Sequence, residues 1–437
     1  MNFANMMTLA SGSFIAASVF AGPRVDQSEV LFSQDDSRLC TVTYTLTGEP
    51  AIVTVDFQTN STPQAASPTW VSIGAQNFTS VFGDVNRIVD KVDQTCTIQW
   101  QPRVDIPPCR VSGQNIARAV VTAWATNTPP DYMVLDLTAP GTERYYVSTN
   151  ALPYGGLTNQ IYKTSLMVMR RIPAAGVTWR MGSPASEGDV YNDPARKSYE
   201  TPHYVSFTED FWMGVFKVTR KQYNLLVGTN PGSGADNVPA NTFSYNTLRG
   251  SYSSDRVNWP DTLYSVGANS ALAAARSTSG VDFDLATSAQ WEYACRAGEC
   301  AATYWGDDNG STRLGDYAWY SNNSAVDGTT QSHEVGLKLP NAWGLYDMYG
   351  NVSEFVLDFY KDVGSSASVT DPKGVTSAEV ADRYRVLRGT GRFDSGWKTF
   401  RSAAISYTGE GTGNKNFGVR FVCPIGLKYP AALKPAL

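Results

Sequence analysis

Six cysteines and two histidines carry the most reactive side chains of this 437-residue protein. A 2-His-1-carboxylate iron site needs both histidines to converge with an acid. His203 follows Thr201-Pro202 ahead of a strand and His333 sits in a loop near Lys338, so both read as partly exposed hydrogen-bonding groups. Nothing resembles a nucleophile elbow or a phosphate-cradling glycine loop. The even cysteine count suits an exported protein in which pairing is permitted. Cys40 and Cys96 both open alternating runs and are candidates to staple a sandwich, with Cys109, beside Pro107 and Pro108, left without an obvious partner. Spacing alone does not set connectivity. The segments RFDSGWKTF and SYTGEGTGNKN, within residues 392–416, combine aromatic residues with Gly, Ser and Asn. That is the composition of recognition loops, rigid rings on adaptable polar backbone. Arg392, Phe393, Asp394, Trp397 and Lys398 are the candidate ligand-binding residues there.

These residues must be carried by loop-rich, β-containing elements, because the chain has 37 glycines, 23 tyrosines and 11 tryptophans but few long apolar periodic runs. Between Val25 and Leu137 short runs alternate apolar and polar residues: CTVTYTL from Cys40, AIVTVDF from Ala51, CTIQW from Cys96 and AVVTAWAT from Ala119. Period-two runs between Gly, Pro, Asn and Asp clusters read as antiparallel strands. They point to an all-β immunoglobulin- or fibronectin-like sandwich over residues 25–140, followed by a linker over 141–165 in which 144–148 is open as one further strand. Beyond residue 166 helix signals appear. Thr219 with Gln222 and Thr287 with Gln290 are capping boxes, each marking a short helix start. The second helix runs through Trp291, Ala294 and Cys295, and Gly298 offers the left-handed residue to end it.

The opening MNFANMMTLASGSFIAASVFA is apolar, uncharged and ends in small residues, so residues 1–21 read as a signal peptide cleaved after Ala21, with a short N-terminal anchor as the alternative. No later segment has the ~18 apolar residues of a membrane span. A secreted, periplasmic or cell-envelope protein of bacterial type follows. The net charge of -5, from 40 acids and 35 bases spread along the chain, leaves no basic cluster to neutralise phosphates. Nucleic acid is not expected as a partner.

Several ordered segments resemble the formylglycine-generating, sulfatase-modifying factor family, whose α+β domain is a C-type lectin variant with much irregular structure. They are RRIPAAGVTWRMGSP from Arg170, FWMGVFKVTRKQY from Phe211, LATSAQWEYACRAG from Leu285, LPNAWGLYDMYGNVSEFVLD from Leu339, RVLRGTGRFDSGWKTFRSAA from Arg385 and NFGVRFVCP from Asn416. The resemblance covers residues 166–428 and not the N-terminal sandwich. Family oxidases hold copper(I) on two cysteine thiolates, and aligning through Arg388-Gly389 and Arg401 puts Asp394 and Thr399 at those positions. Hard oxygen ligands do not replace soft thiolates for copper(I), so no copper is expected. The resemblance also implies a structural calcium at Asp347, Gly350, Val352 and Glu354, two side-chain oxygens and two carbonyls. The alternative is that Asp347 and Glu354 cap the loop or pair with arginines such as Arg388 or Arg420. A bond from Cys295 to Cys423 is implied as well, since Cys423 lies two residues beyond the family's partner position and so on the same strand face. Cys300 is the local competitor, and a reactive Cys295–Cys300 pair the weaker reading. The 392–416 surface corresponds to the family's substrate groove.

The resemblance and the missing thiolates together imply a secreted family member without copper oxidase activity that binds a peptide or a glycan. Two rivals stay open: a formylglycine-type oxidoreductase acting on a sulfatase cysteine, and a structural cell-envelope or lectin-type display protein.

Overall fold

The computed structural model describes residues 22–426 except 65, 75, 77, 107–114, 184–186, 188–199, 307–311 and 362–366. The expected signal peptide and Cys109 lie outside the described residues. Strands β1 (Arg24–Val25), β2 (Leu31–Gln34), β3 (Cys40–Thr47), β4 (Ala51–Asn60), β5 (Trp70–Ser72), β6 (Val81–Gly83), β7 (Arg87–Val89), β8 (Thr95–Trp100) and β9 (Ala117–Ala125) form two antiparallel sheets. One is ordered β1-β3-β8-β6 with β2 also on β3, the other β5-β4-β7 with β9 also on β4. In β3 every second residue is buried, as its apolar-Thr alternation requires. Cys40, Val42, Tyr44 and Leu46 of one sheet meet Val53 and Phe57 of the other in a common core with Trp100. Phe57 stacks on Trp100 at 4.4 Å between ring centroids.

Next come β10 (Tyr132–Asp136), β11 (Arg144–Tyr146), β12 (Leu166–Ile172), β13 (Thr178–Met181), β14 (His203–Ser206) and β15 (Phe211–Gly214), then β16 (Asp284–Leu285), β17 (Ala325–Val326) and β18 (Thr329–Thr330). The last six are β19 (Ser353–Phe359), β20 (Val369–Thr370), β21 (Tyr384–Arg388), β22 (Ser406–Gly409), β23 (Phe417–Gly418) and β24 (Phe421–Pro424). A six-stranded sheet, β11-β10-β12-β15-β24-β16, is the backbone of this part. Residues 132–136, within the stretch read as sandwich, pair antiparallel with β12 along its length, and 144–146 adds the further strand. A four-stranded sheet, β22-β21-β19-β23, carries the residues of interest.

Three longer helices pack here: α1 (Arg220–Val227), α2 (Ala271–Ser279) and α3 (Ser288–Arg296). Both expected capping boxes form, Thr219 with Gln222 and Thr287 with Gln290. The end of α3 differs slightly from expectation, because Ala297 (φ 49°) already adopts the left-handed conformation ahead of Gly298. The two faces of the six-stranded sheet bury different clusters. Met133, Leu135, Met167, Met169, Trp212, Phe421 and Cys423 face α1 and α2, whereas Phe211, Met213 and Val422 face α3 with Trp291 and Cys295. No helix among the described residues is long and apolar enough to cross a membrane.

The two expected disulfides are corrected by this topology. In the β3–β8 ladder Cys40 lies opposite Trp100 and Cys96 opposite Tyr44, four positions apart. At ~3.3 Å per residue that is about 13 Å, beyond the ~7 Å Cα separation a disulfide tolerates. Cys295 and Cys423 sit in clusters on opposite faces of the six-stranded sheet, so a bond would have to pass through it. Cys96, Cys295 and Cys423 are buried free thiols and Cys300 is an exposed one.

Candidate functional site

Glu354 sits at the start of β19, held between β21 through Arg388 and β23 through Gly418. Its carboxylate is completely buried and fully used. Lys217 Nζ donates to Oε1 at 2.5 Å, Arg420 Nη2 to Oε1 at 3.0 Å, and the Trp291 indole to Oε2 at 2.6 Å. Arg420 is itself locked by the carbonyls of Gly214, Val215 and Tyr346, at 2.8, 2.9 and 2.8 Å. Burial alone would raise the Glu354 carboxyl, but Arg420 and Lys217 more than reverse that and leave it below the usual range. Asp347 is equally buried, in a left-handed backbone conformation (φ 53°), and accepts the Gly336 amide on Oδ2 at 2.7 Å. Its carboxyl is raised by burial, an effect that the Gly336 amide and the charges of Lys217 and Arg420 only partly offset.

Gly350, between these two acids, has φ +77° and backs onto Trp319, where a Cβ would come within 2.3 Å of the Trp319 carbonyl. Glycine is required there on both counts. The turn continues through Asn351, whose side chain exchanges hydrogen bonds with the backbone of His333 at 3.2 and 2.9 Å. Trp319 lies flat on the His333 ring at 3.8 Å, with Lys338 Nζ 4.1 Å from the centroid of the indole ring. His333 Nε2 meets the Ser324 carbonyl and His203 Nδ1 the Thr201 carbonyl, which is the hydrogen-bonding role expected of both. Among the described residues no three His, Cys, Asp or Glu side chains form a metal-holding group.

The loop after β21 is tied to that same turn. Arg392 is buried; its amide and its Nη1 both donate to the Asn351 carbonyl at 3.2 Å, and Nη2 donates to the Lys415 carbonyl at 2.8 Å. Burial depresses its guanidinium to about 10. Phe393 projects beside it, 39% exposed, with the Arg392 guanidinium 4.6 Å and the Lys415 ammonium 4.8 Å from its ring centre. Asp394 accepts the Gly391 amide at 3.2 Å and is raised by burial, while its carbonyl takes the Ser321 amide at 3.1 Å. Thr399 turns its hydroxyl onto the Gly396 carbonyl at 2.8 Å. The Lys398 carbonyl accepts Arg401 Nε at 2.8 Å, and the side chain of Trp397 lies outside what is described. Of the expected residues, then, Arg392 reaches Asn351 and Lys415 and Phe393 reaches Lys415, while Asp394 is held by Gly391 and Ser321. Lys217 and Lys415 were not singled out in the sequence. For Lys217 the signal was present, a lone charge inside the apolar run FWMGVFKV.

A family profile, the FGE-sulfatase or sulfatase-modifying factor enzyme 1-like domain, matches residues 171–425, more than half of the chain, and the chain belongs to that family. It lacks the family's catalytic cysteine pair, since no cysteine lies between Cys300 and Cys423. Among curated proteins, the formylglycine-generating enzyme of Streptomyces coelicolor is 33% identical over 147 residues, 31% of this chain and 45% of the relative. The chaperone protein LppX of Paenibacillus barcinonensis is 25% identical over 191 residues, 35% of this chain and 63% of the relative. The chain therefore spans less than two thirds of either relative. Among solved structures, Treponema denticola variable protein 1 is similar at a TM-score of 0.45 and 24% identity, over 59% of this chain and 95% of that one. PvdO from Pseudomonas aeruginosa is similar at 0.42 and 20%, over 59% and 94%.

Proposed function

We propose that this protein is a ligand-binding member of the sulfatase-modifying factor family and not a copper oxidase. One observation carries the reading. Alignment through Arg388-Gly389 and Arg401 puts Asp394 and Thr399 at the two thiolate positions, and there Asp394 Oδ2 and the Thr399 hydroxyl are engaged by their own loop, with Gly391 and with Gly396. Neither residue type holds copper(I). What the same loop does offer is recognition chemistry: an exposed Phe393 ring 4.6 and 4.8 Å from two cations, next in sequence to a carboxylate, on a backbone anchored at Asn351. Rings of this kind give contact area at low entropic cost, and the surrounding polar groups orient a peptide or a glycan. An immunoglobulin- or fibronectin-like sandwich, supported by two sheets around one core that end at β9, would present the C-terminal domain outside the cell, with β10 and β11 of the stretch first read as sandwich end and linker built into that domain's sheet.

The test uses the purified full chain. Incubated with copper(I), oxygen and a cysteine peptide of sulfatase type, it leaves the peptide mass unchanged; conversion of the cysteine to formylglycine sinks the proposal. On peptide and glycan arrays, Phe393→Ala weakens the bound signal about tenfold. An array on which wild type and variant bind alike places recognition elsewhere.

A further inference from the structure

The calcium position that the family resemblance implies does not fit a calcium ion in this chain. Calcium takes six to eight oxygens. Both oxygens of Glu354 are consumed by hydrogen-bond donors: Lys217 and Arg420 on Oε1, Trp291 and Arg420 on Oε2. Asp347 Oδ2 is taken by the Gly336 amide. Of the four carboxylate oxygens, Asp347 Oδ1 alone is buried without a hydrogen bond. Even with the Gly350 and Val352 carbonyls added, that leaves three oxygens, at most half of the six to eight calcium takes.

Charge leads to the same place. Lys217, Asp347, Glu354 and Arg420 are all buried, two bases against two acids. Lys217 has no exposed side-chain surface, and its charge acts on both Asp347 and Glu354. With all four ionised the cluster is neutral, so a divalent ion would add two uncompensated charges where water cannot screen them. An ammonium is compact, carries three donors and sits on a flexible stem, which suits it to reach a pair of acids from a neighbouring element. Lys217 arrives from the segment directly after β15, and Arg420 from just before its paired strand β24. We propose that the Lys217 ammonium takes the place of the family's structural cation, so that this branch of the fold is held without calcium.

The full chain is stripped with EDTA, dialysed, and compared in EDTA and in millimolar calcium by elemental analysis and thermal unfolding. Wild type retains no stoichiometric calcium and its Tm moves by less than about 1 °C between the two buffers. Calcium near one per chain, or a Tm several degrees lower in EDTA, overturns the proposal. Lys217→Ala leaves Glu354 and Asp347 short of a cation, and its Tm in EDTA falls by about 10 °C. Calcium then restores several degrees of that loss, or raises the refolding yield if the variant does not fold in EDTA. A Lys217→Ala protein that responds to calcium no more than wild type refutes the substitution of one cation by the other.

Discussion

Replacing Ser402 by cysteine should lock α3 to the loop after β21. The Cys295 thiol donates to Ser402 Oγ at 3.8 Å, deep in the core, and the positions are 107 residues apart. Closing a loop of about that length removes ~4.7 kcal/mol of unfolded-state entropy in the chain-entropy view. Against this, Ser402→Cys gives up the 2.6 Å hydrogen bond between Ser402 and the buried Tyr349 hydroxyl, a loss of about 1–3 kcal/mol. The net gain is about 2–4 kcal/mol, a rise of about 4–16 °C in Tm at roughly 2–4 °C per kcal/mol for a domain this large. Burial pushes the Cys295 thiol up to about 12, so little reactive thiolate exists once the protein is folded. The bond must therefore be made during refolding in a glutathione buffer, not by oxidising native protein. Peptide mapping without reductant reads the bond, and Tm with and without reductant reads its worth. Two titratable thiols at 295 and 402 after oxidative refolding, or a Tm below wild type in both buffers, would refute the packing described for this part of the core.

Asp358 offers a pH test. Burial raises its carboxyl to about 6, despite the Ser288 amide and the charges of Arg388 and Arg385. Because the folded value exceeds the unfolded one, the folded state binds the proton more tightly, and stability falls as pH rises from about 4 to about 6, then levels. Asp358→Asn keeps an acceptor for the Ser288 amide, so it should be more stable than wild type by on the order of 2 kcal/mol at neutral pH. That advantage should vanish near pH ~4 in denaturant melts, and a pH-independent difference would contradict the assignment. Thr287→Ala removes the reciprocal cap of α3 and should cost about 1 kcal/mol, a fall of about 2–4 °C in Tm measured by calorimetry.

The parts of this molecule legible in the sequence are those decided by neighbours along the chain. Thr287 and Gln290 announce a helix start because the bonds they make span three residues. The alternation in residues 40–47 announces a half-buried strand because side-chain direction there has period two. The cysteine pairings failed for the converse reason. Whether Cys96 faces Cys40 or Tyr44 depends on register, and whether Cys423 meets Cys295 depends on which face of a six-stranded sheet each occupies. At the candidate calcium position the acids Asp347 and Glu354 were visible, and Arg420 was among the named alternatives. The residue that completes their neutralisation, Lys217, lies 137 positions from Glu354. Inside an apolar run, its charge was the visible irregularity.

The sheet order has a consequence for how such proteins are assembled from modules. The family match opens at residue 171, one residue before β12 ends, while β10 and β11 lie outside it yet fill the far edge of the same sheet. A boundary drawn there would run through hydrogen-bonded backbone and strip Met133, Leu135, Met167 and Met169 from the core they share with Trp212. The N-terminal extension is thus grafted as sheet and not strung on as a bead. In this lineage, shuffling the family domain onto a new partner would require carrying the two extra strands along, or inventing replacements for the edge they cover.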